Sequence, residues 1–343
     1  MKAVRLHEYD QRPVVEDVPD PVISAPHDVI VRIGGAGLCR TDLHIYEGQW
    51  AEKSGVKLPY TIGHENAGWV EEIGSAVTNV APGDSVILHP LVTCGLCRFC
   101  RDGDDVHCEH NRFPGIDADG GMAEYLLTGA RSVIKIDPSL QPADVAALAD
   151  AGLTAYHAVK KAVPLLPPGS KALVIGAGGL GHIGIQSLAA MTAAEIIVVD
   201  PSEPALELAR SMGAEHTVHA DDSQVEQVMD LTDGHGAEVV FDFVGERGAE
   251  ADAWTMTRRA GSHYVIGYGG TVQVPTIDVI STERNIIGNL VGSYNELSEL
   301  MALAAKGKVK LHTRTYPLDA VNEAMDDLEQ GRLQGRGILV PNG

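Results

Sequence analysis

The chain of 343 residues carries a formal net charge of −21 and is 44% hydrophobic, which provides enough apolar residues for two domains. The excess of acidic residues excludes the basic stripes with which proteins bind nucleic acid. No apolar run is long enough to cross a membrane, and MKAVRLHEYD is not an apolar leader, so we expect a soluble, cytoplasmic protein without a membrane partner.

The first part of the chain has the pattern of antiparallel strands. Apolar residues stand two apart at Val29, Val31 and Ile33, with Asp28 and Arg32 on the other face, as in a β-strand. The glycines at 34 and 35 are expected to end this strand, and Cys39 to open a short helical turn. The motif GHENAG at 63–68 leads into another strand, and Val77–Asp84 has the composition of a hairpin loop.

Four of the five cysteines lie in one short segment, at about 90–112, with the spacing C-x₂-C-x₂-C-x₇-C. They are Cys94, Cys97, Cys100 and Cys108. Four thiolates complete the tetrahedral coordination of Zn²⁺ and leave no open position, so the spacing predicts a structural zinc site. An iron–sulfur cluster, which also takes four cysteines, is the alternative.

From Ala143 onward, helical patterns alternate with apolar strand patterns, which predicts a parallel, doubly wound sheet. The predicted helices cover 143–163, 205–212, 224–231, 250–259, 296–306 and 318–330. The predicted strands cover 172–175, 196–199, 217–218, 239–243, 262–266, 285–291 and 337–340.

A glycine motif lies between two of these strands, in the segment 173–200. Its residues are Gly176, Ala177, Gly178, Gly179, Leu180 and Gly181. Gly176 permits the tight turn, Gly178 lets the backbone approach a pyrophosphate, and Gly181 allows the helix to pack closely on the strand. The pyrophosphate is expected at the N-terminus of the helix that follows.

Asp200 ends the second strand of this motif and predicts the cofactor. Its carboxylate is suited to accept hydrogen bonds from both ribose hydroxyls of NAD, and it would repel a 2′-phosphate. No arginine or lysine occurs in 201–204. The sequence therefore predicts NAD rather than NADP.

Five motifs together resemble the zinc-dependent medium-chain alcohol dehydrogenases along essentially the whole chain. They are GLCRTDLH at 37–44, GHENAG at 63–68, the cysteine segment, DAGLTAYHA at 150–158 and GAGGLG at 176–181. The resemblance implies an α/β protein with a GroES-like, β-rich catalytic domain (1–152 and 290–343) and a Rossmann NAD-binding domain (153–289). It also implies NAD, two Zn²⁺ per subunit, and a homodimer or homotetramer.

The resemblance further implies a catalytic zinc site. Cys39 and His64 match two of the family's ligands. The third ligand in many members is a cysteine, but Asp150 stands at that position here. The sequence resembles an Asp-liganded branch, and a carboxylate oxygen is an acceptable zinc ligand; the alternative for Asp150 is a helix cap. Glu65 matches an acid that lies beside the metal.

Four more residues take their expected roles from the resemblance. Thr41 matches the hydroxyl that binds the substrate oxygen, and His44 matches the end of a proton relay, where we expect a surface-facing base. The alternatives are a helix cap for Thr41 and a surface position for His44. Arg40 and Arg336 match positions that hold the pyrophosphate, although Arg40 is equally consistent with a simple surface charge.

These implications predict an NAD-dependent alcohol dehydrogenase that transfers a hydride between NAD and an alcohol, preferring secondary or aromatic alcohols to primary ones. Trp50, Leu91 and Tyr294 are candidates to line an apolar substrate pocket, although each also fits an ordinary core position. One alternative is a polyol or amino-alcohol dehydrogenase of the same superfamily. Another is a non-catalytic NAD- or zinc-binding homologue.

Overall fold

In the computed structural model, which describes residues 1–341, the chain divides after Leu153 and again after Val291. One unit comprises Met1–Leu153 together with the chain from Gly292 onward, and the other comprises Thr154–Val291. Within the described residues, no helix has both the length and the hydropathy that crossing a membrane requires.

The secondary structure elements follow in chain order. The strands are β1 (Lys2–Leu6), β2 (Val14–Asp17), β3 (Asp28–Leu38), β4 (Tyr60–Thr61), β5 (Glu65–Ile73), β6 (Ser85–Leu88), β7 (Tyr125–Gly129), β8 (Val133–Lys135), β9 (Lys171–Ile175), β10 (Glu195–Asp200), β11 (His216–His219), β12 (Ala237–Asp242), β13 (Thr257–Val265), β14 (Asn285–Gly288), β15 (Thr313–Pro317) and β16 (Arg336–Val340). The α-helices are α1 (Arg40–Tyr46), α2 (Ala51–Ser54), α3 (Arg98–Asp102), α4 (Pro142–Val145), α5 (Ala151–Ala162), α6 (Gly181–Met191), α7 (Glu203–Ser211), α8 (Gln224–Leu231), α9 (Ala249–Met256), α10 (Thr276–Thr282), α11 (Tyr294–Ala305) and α12 (Val321–Glu329). Short 3₁₀ turns cover Asp105–His107, Ala130–Ser132, Ala146–Ala149, Val163–Leu165 and Leu318–Ala320.

The first unit is built on an antiparallel sheet with the order β15-β16-β3-β5-β6-β8, in which β7 also pairs with β3 and only β15–β16 is parallel. A smaller sheet has the order β2-β1-β4. The loop between β5 and β6 contains Val77–Asp84 and joins antiparallel neighbours, as predicted. One apolar core, which includes Val31, Val70 and Leu339, packs against these sheets.

Strand β3 does not end at its glycines, contrary to the prediction, and continues to Leu38. A Cβ atom on Gly34 would lie 2.6 Å from the Trp69 ring, and one on Gly35 would lie 2.8 Å from the Cα of Ala143. The glycines are therefore needed for the close approach of neighbouring chain segments, and not for a turn. Because the strand continues, it carries Cys39 directly to the start of α1.

The helix predicted over 143–163 is interrupted. Helix α4 passes into the 3₁₀ turn Ala146–Ala149, and Asp150, with φ −126° and ψ −61°, separates that turn from α5. The N–H of Ala151, at the start of α5, donates a hydrogen bond to Oε1 of Glu65, at 3.1 Å. A carboxylate from β5 therefore replaces the helical acceptor that the break removes.

The second unit is a parallel sheet with the order β11-β10-β9-β12-β13-β14. This is the doubly wound order 3-2-1-4-5-6, in agreement with the predicted Rossmann fold. Successive residues of β9, such as Leu173 and Val174, lie in separate apolar cores on the two faces of the sheet.

Several elements of the second unit differ from the prediction: β13 begins at Thr257, and not at Ser262, and β14 ends at Gly288, and not at Val291. Helix α9 ends at Met256, and not at Arg259, because Thr257 already pairs with Ala237 of β12. Helix α10 was not predicted, because its apolar residues Ile277 and Ile280 are exposed and form no buried stripe.

Candidate functional site

Four side chains from three places in the first unit meet in one cluster. Cys39 stands at the N-terminus of α1, His64 precedes β5, Glu65 begins β5, and Asp150 occupies the break before α5. One ligand atom from each of these residues lies within 4.8 Å of the others. The structure thus brings together the three residues predicted to bind the catalytic zinc and the acid predicted beside it.

The donor set and its burial fit a zinc ion. Cys39 and His64 are almost fully buried, and Nε2 of His64 lies 3.5 Å from Oδ2 of Asp150. Neither ring nitrogen of His64 makes a hydrogen bond within the described residues. A thiolate, an imidazole and a carboxylate are the ligand types of catalytic zinc sites, in which three protein ligands leave one open position.

Asp42 belongs to this cluster, although the sequence analysis did not select it. Its side chain is completely buried, and Oδ2 accepts a hydrogen bond from the backbone N–H of Cys39, at 2.8 Å. Its other oxygen lies 3.3 Å from Nδ1 of His64. A carboxylate behind a ligating histidine orients the ring. The available signal was an acid three residues after Cys39, which is the position of a capping box.

Glu65 is held from two sides. Oε1 accepts from the N–H of Ala151, and Oε2 accepts from Nη2 of Arg336, which lies at the start of β16 and is 3% exposed. Burial raises the pKa of Glu65, while the charge of Arg336 opposes that rise. The structure therefore places the guanidinium group of Arg336 on Glu65, beside the metal cluster. The role of Arg336 in holding the pyrophosphate, which the resemblance implies, stays a prediction.

Helix α1 carries Arg40, Thr41 and His44. Arg40 is exposed and Thr41 is partly exposed. His44 is only 6% exposed, which corrects the expectation of a surface-facing base. The reason is that Asp42, Leu43 and Ile45 are buried as well, so this part of the short helix is enclosed on all sides.

The four clustered cysteines also converge as predicted, with one sulfur atom from each within 4.8 Å of the others. The Sγ atom of Cys94 accepts hydrogen bonds from the backbone N–H groups of Leu96 and Cys97, both at 3.4 Å. These donors lower the pKa of Cys94 to about 6, which favours the metal-binding thiolate. Four thiolates form a closed site, as structural zinc requires.

The glycine turn of the second unit connects β9 to α6. Gly176 has a φ of +89°, and a Cβ atom on Gly181 would lie 1.8 Å from the carbonyl oxygen of Gly176. A Cβ atom on Gly178 would meet nothing within 4 Å, so the space in front of that residue is open. Asp200 closes the turn, accepting from the N–H of Ala177 at 2.7 Å and from that of Ser202 at 2.8 Å.

The three residues suggested for the substrate pocket lie in different settings. Leu91 is buried. Trp50 precedes α2 and packs at the edge of the core. Tyr294 lies beside the cysteine segment, where its N–H donates to Asp105 at 3.0 Å and its hydroxyl donates to the carbonyl of Val133 at 3.4 Å.

A different aromatic residue lies at the metal cluster. The ring of Phe113 packs edge-on against that of His64, with 6.0 Å between the ring centroids. Phe113 is only partly buried. No motif or spacing signals this contact, because Phe113 follows the cysteine segment in an irregular stretch and reaches His64 only through the tertiary fold.

Comparison with known proteins agrees with this geometry. The family model described as the alcohol dehydrogenase GroES-like domain matches residues 25–138, and the one described as zinc-binding dehydrogenase matches residues 179–306. An NAD-dependent alcohol dehydrogenase of Sulfurisphaera tokodaii is 36% identical, over 99% of this chain and 100% of its own length. The chain belongs to the zinc-dependent medium-chain alcohol dehydrogenase family.

Two further comparisons show the range of this family. The crystal structure of the alcohol dehydrogenase from Aeropyrum pernix matches with a TM-score of 0.97 and 47% identity, covering 99% of this chain and 100% of that one. A D-arabinose 1-dehydrogenase (NADP(+)) of Saccharolobus solfataricus is 34% identical over 99% of this chain and 97% of its own. As a medium-chain alcohol dehydrogenase, the protein is a zinc-binding oxidoreductase that uses a nicotinamide cofactor.

Proposed function

We propose that the protein interconverts secondary or aromatic alcohols and the corresponding ketones, with NAD as the cofactor. The observation that carries this proposal is the convergence of Cys39, His64 and Asp150, with the Phe113 ring against His64. The ligand set supports alcohol chemistry, and the aromatic neighbour supports an apolar substrate.

Cys39, His64 and Asp150 would hold the catalytic zinc. When bound, zinc supplies Lewis acidity that lowers the pKa of an alcohol, and NAD supplies the hydride acceptor. Glu65 is not counted among the ligands, because both of its oxygens already accept hydrogen bonds, from Ala151 and Arg336. Asp42 keeps the ring of His64 in place.

The proton of the alcohol would move along α1. Thr41 and His44 are three residues apart on this helix and therefore share a face. The hydroxyl oxygen of Thr41 would accept the alcohol proton as its own is released, and the imidazole of His44 would receive a proton at the end of the relay. Because His44 is only 6% exposed, it would act as an enclosed base.

The preference for NAD rests on Asp200. Its two oxygens are fixed by the N–H groups of Ala177 and Ser202, so the carboxylate is preorganised to accept from the ribose hydroxyls. The first basic residue after Asp200 is Arg210, whose guanidinium group pairs with Glu203 at 2.9 Å. This arrangement offers no ready partner for a 2′-phosphate.

The substrate preference rests on Phe113. A partly exposed ring beside His64 gives an apolar surface next to the proposed metal site. The similarity to a D-arabinose dehydrogenase favours a second candidate, the oxidation of sugars or polyols. Such a substrate needs several polar partners, which an aromatic ring does not provide.

Initial rates with a substrate panel distinguish the two candidates. We expect NADH oxidation with acetophenone and with apolar alkyl ketones to exceed NADP reduction with D-arabinose. Phe113→Ala should lower kcat/KM for acetophenone about tenfold, whereas Phe99→Ala, an aromatic deletion in the cysteine segment, should leave it unchanged. Oxidation of D-arabinose without activity on apolar ketones would identify the protein as a sugar or polyol dehydrogenase instead.

A further inference from the structure

His182 is a buried titratable residue for which the proposed mechanism has no role. It lies in the first turn of α6, directly after Gly181, and its side chain is completely enclosed. Buried polar side chains make hydrogen bonds in folded proteins, and the bonds of an enclosed imidazole restrain the groups that share them. The partner of this ring is the glycine turn itself.

The ring nitrogen Nδ1 of His182 lies 2.9 Å from the carbonyl oxygen of Gly178. A carbonyl oxygen only accepts hydrogen bonds, so Nδ1 carries the proton and donates it. The backbone N–H of His182 donates to the same oxygen, at 3.2 Å. The Gly178 carbonyl is therefore held by two donors from one residue.

These bonds determine the direction of the next N–H group. The C=O of Gly178 and the N–H of Gly179 belong to one planar peptide and point in opposite directions. Because the oxygen is held towards α6, the N–H of Gly179 points away from the helix. Gly178 has the backbone freedom of all glycines and open space where a Cβ would stand, so loss of the ring donor leaves the peptide with one restraint instead of two and a less defined orientation.

We propose that His182 is a positioning residue for the cofactor. Its Nδ1–H group fixes the Gly178–Gly179 peptide so that the N–H of Gly179 is ready to donate to an oxygen of the cofactor diphosphate. The gain in cofactor affinity comes from preorganisation, because the orientation of the Gly179 N–H group is set before the cofactor binds. This inference rests on the proposed function, in which the diphosphate binds at the glycine turn.

Calorimetric titration with ADP-ribose, which contains the diphosphate, and with adenosine, which does not, tests the proposal. His182→Leu should weaken ADP-ribose binding about tenfold and leave adenosine binding unchanged. In turnover, KM for NAD should rise while kcat changes little. His182→Asn, whose amide N–H takes the place of Nδ1–H, should restore binding to within about threefold of the original. His182→Gln, whose N–H lies at the Nε2 position, should not.

Ser187→Ala is the matched control, because Ser187 is a fully buried polar residue of the same helix. We expect it to bind ADP-ribose normally. Unchanged ADP-ribose binding in His182→Leu and His182→Gln would overturn the proposal, as would an equal loss of ADP-ribose and adenosine binding. If the unaltered protein fails to bind ADP-ribose, the diphosphate does not bind at the glycine turn and the proposed function fails. If the unaltered protein binds ADP-ribose and the His182 variants bind it equally well, only this inference fails.

Discussion

Asp150 decides the chemistry of the catalytic cluster at the scale of single residues. In the proposed zinc site its carboxylate takes the place of the thiolate that many family members have, and its Oδ2 atom lies 3.5 Å from Nε2 of His64. A carboxylate is a harder ligand than a thiolate, but both belong to the set that zinc accepts. We therefore expect the position to tolerate exchange between the two ligand types but not the removal of the ligand.

Changing Asp150 tests this assignment. We expect Asp150→Ala to lose one zinc ion per chain and its kcat to fall at least about a hundredfold. The effect is large because the substitution removes a ligand itself, and not only a residue that orients a ligand. Asp150→Cys should keep the zinc. Zinc content by atomic emission and steady-state rates measure both effects. Asp144→Ala, an exposed acid on α4, is the control, and full activity in Asp150→Ala would show that the third ligand lies elsewhere.

Asp200 gives a second prediction at this scale. Replacing it with glycine should relax the discrimination against NADP, because the charge that repels a 2′-phosphate is removed. The affinity for NAD should also fall, because the N–H groups of Ala177 and Ser202 lose their acceptor. The measurement is the ratio of kcat/KM for the two cofactors. An unchanged ratio, or the same change in the Glu207→Ala control on α7, would contradict the assignment.

The sequence predicted the residues that lie in motifs and missed those that only the fold brings in. Cys39, His64 and the four clustered cysteines have diagnostic spacings. Phe113 and the contact between Arg336 and Glu65 depend on the tertiary fold, the latter across 271 residues of chain. Local pattern carries no information about such contacts. Asp42 is different, because it lies inside the motif at 37–44 and its capping-box spacing after Cys39 was a usable signal.

At the scale of elements, two chain segments deviate from their local pattern where they serve the site. Strand β3 continues through glycines that would ordinarily end a strand, and the helical pattern after Ala143 breaks at Asp150. Packing decides both. Neighbouring side chains require the missing Cβ atoms on β3, and Glu65 supplies the acceptor that makes the break at Asp150 possible.

The cysteine segment should act as a separate structural element. Cys97→Ser opens the four-thiolate site, and we expect the melting temperature to fall by at least about 5 °C, because metal binding contributes folding free energy. The rate measured at 25 °C per correctly folded molecule should change little. Arg98→Ser, at a side chain that is 86% exposed, is the control. A normal melting curve for Cys97→Ser would mean that the site does not stabilise the protein.

At the scale of the whole molecule, the alternation of strands and helices predicted the parallel sheet of the second unit. The order β11-β10-β9-β12-β13-β14 follows from right-handed crossovers once the glycine motif marks the first strand. The β-rich unit was predicted through its resemblance to a family, because short antiparallel strands with irregular loops do not specify their partners locally.

Stability should depend on Asp327, a buried residue of α12. The hydroxyl of Tyr316 and the guanidinium group of Arg332 donate to its carboxylate and hold its pKa below the ordinary value of 3.8. Because the pKa is lower in the folded state, the ionised carboxylate stabilises the protein at pH values above its ordinary pKa. This stabilisation is lost as the pH falls below about 4.

Melting curves between about pH 5 and pH 3 measure this loss. The melting temperature of the unaltered protein should fall more steeply than that of Asp327→Asn, which should already be less stable at neutral pH. Asp319→Asn, an exposed acid near the start of α12, should follow the unaltered protein. Parallel curves for Asp327→Asn and the unaltered protein would exclude this contribution.

We propose that the cluster of Cys39, His64 and Asp150 is a catalytic zinc site for alcohol oxidation with NAD. The most direct test measures zinc content and acetophenone-dependent NADH oxidation in the purified protein and in Cys39→Ala. We predict two zinc ions per chain with turnover in the former, and one zinc ion without turnover in the latter. Full turnover by Cys39→Ala, or no turnover of any alcohol or ketone by the zinc-loaded protein, would contradict the assignment of this cluster as the catalytic zinc site.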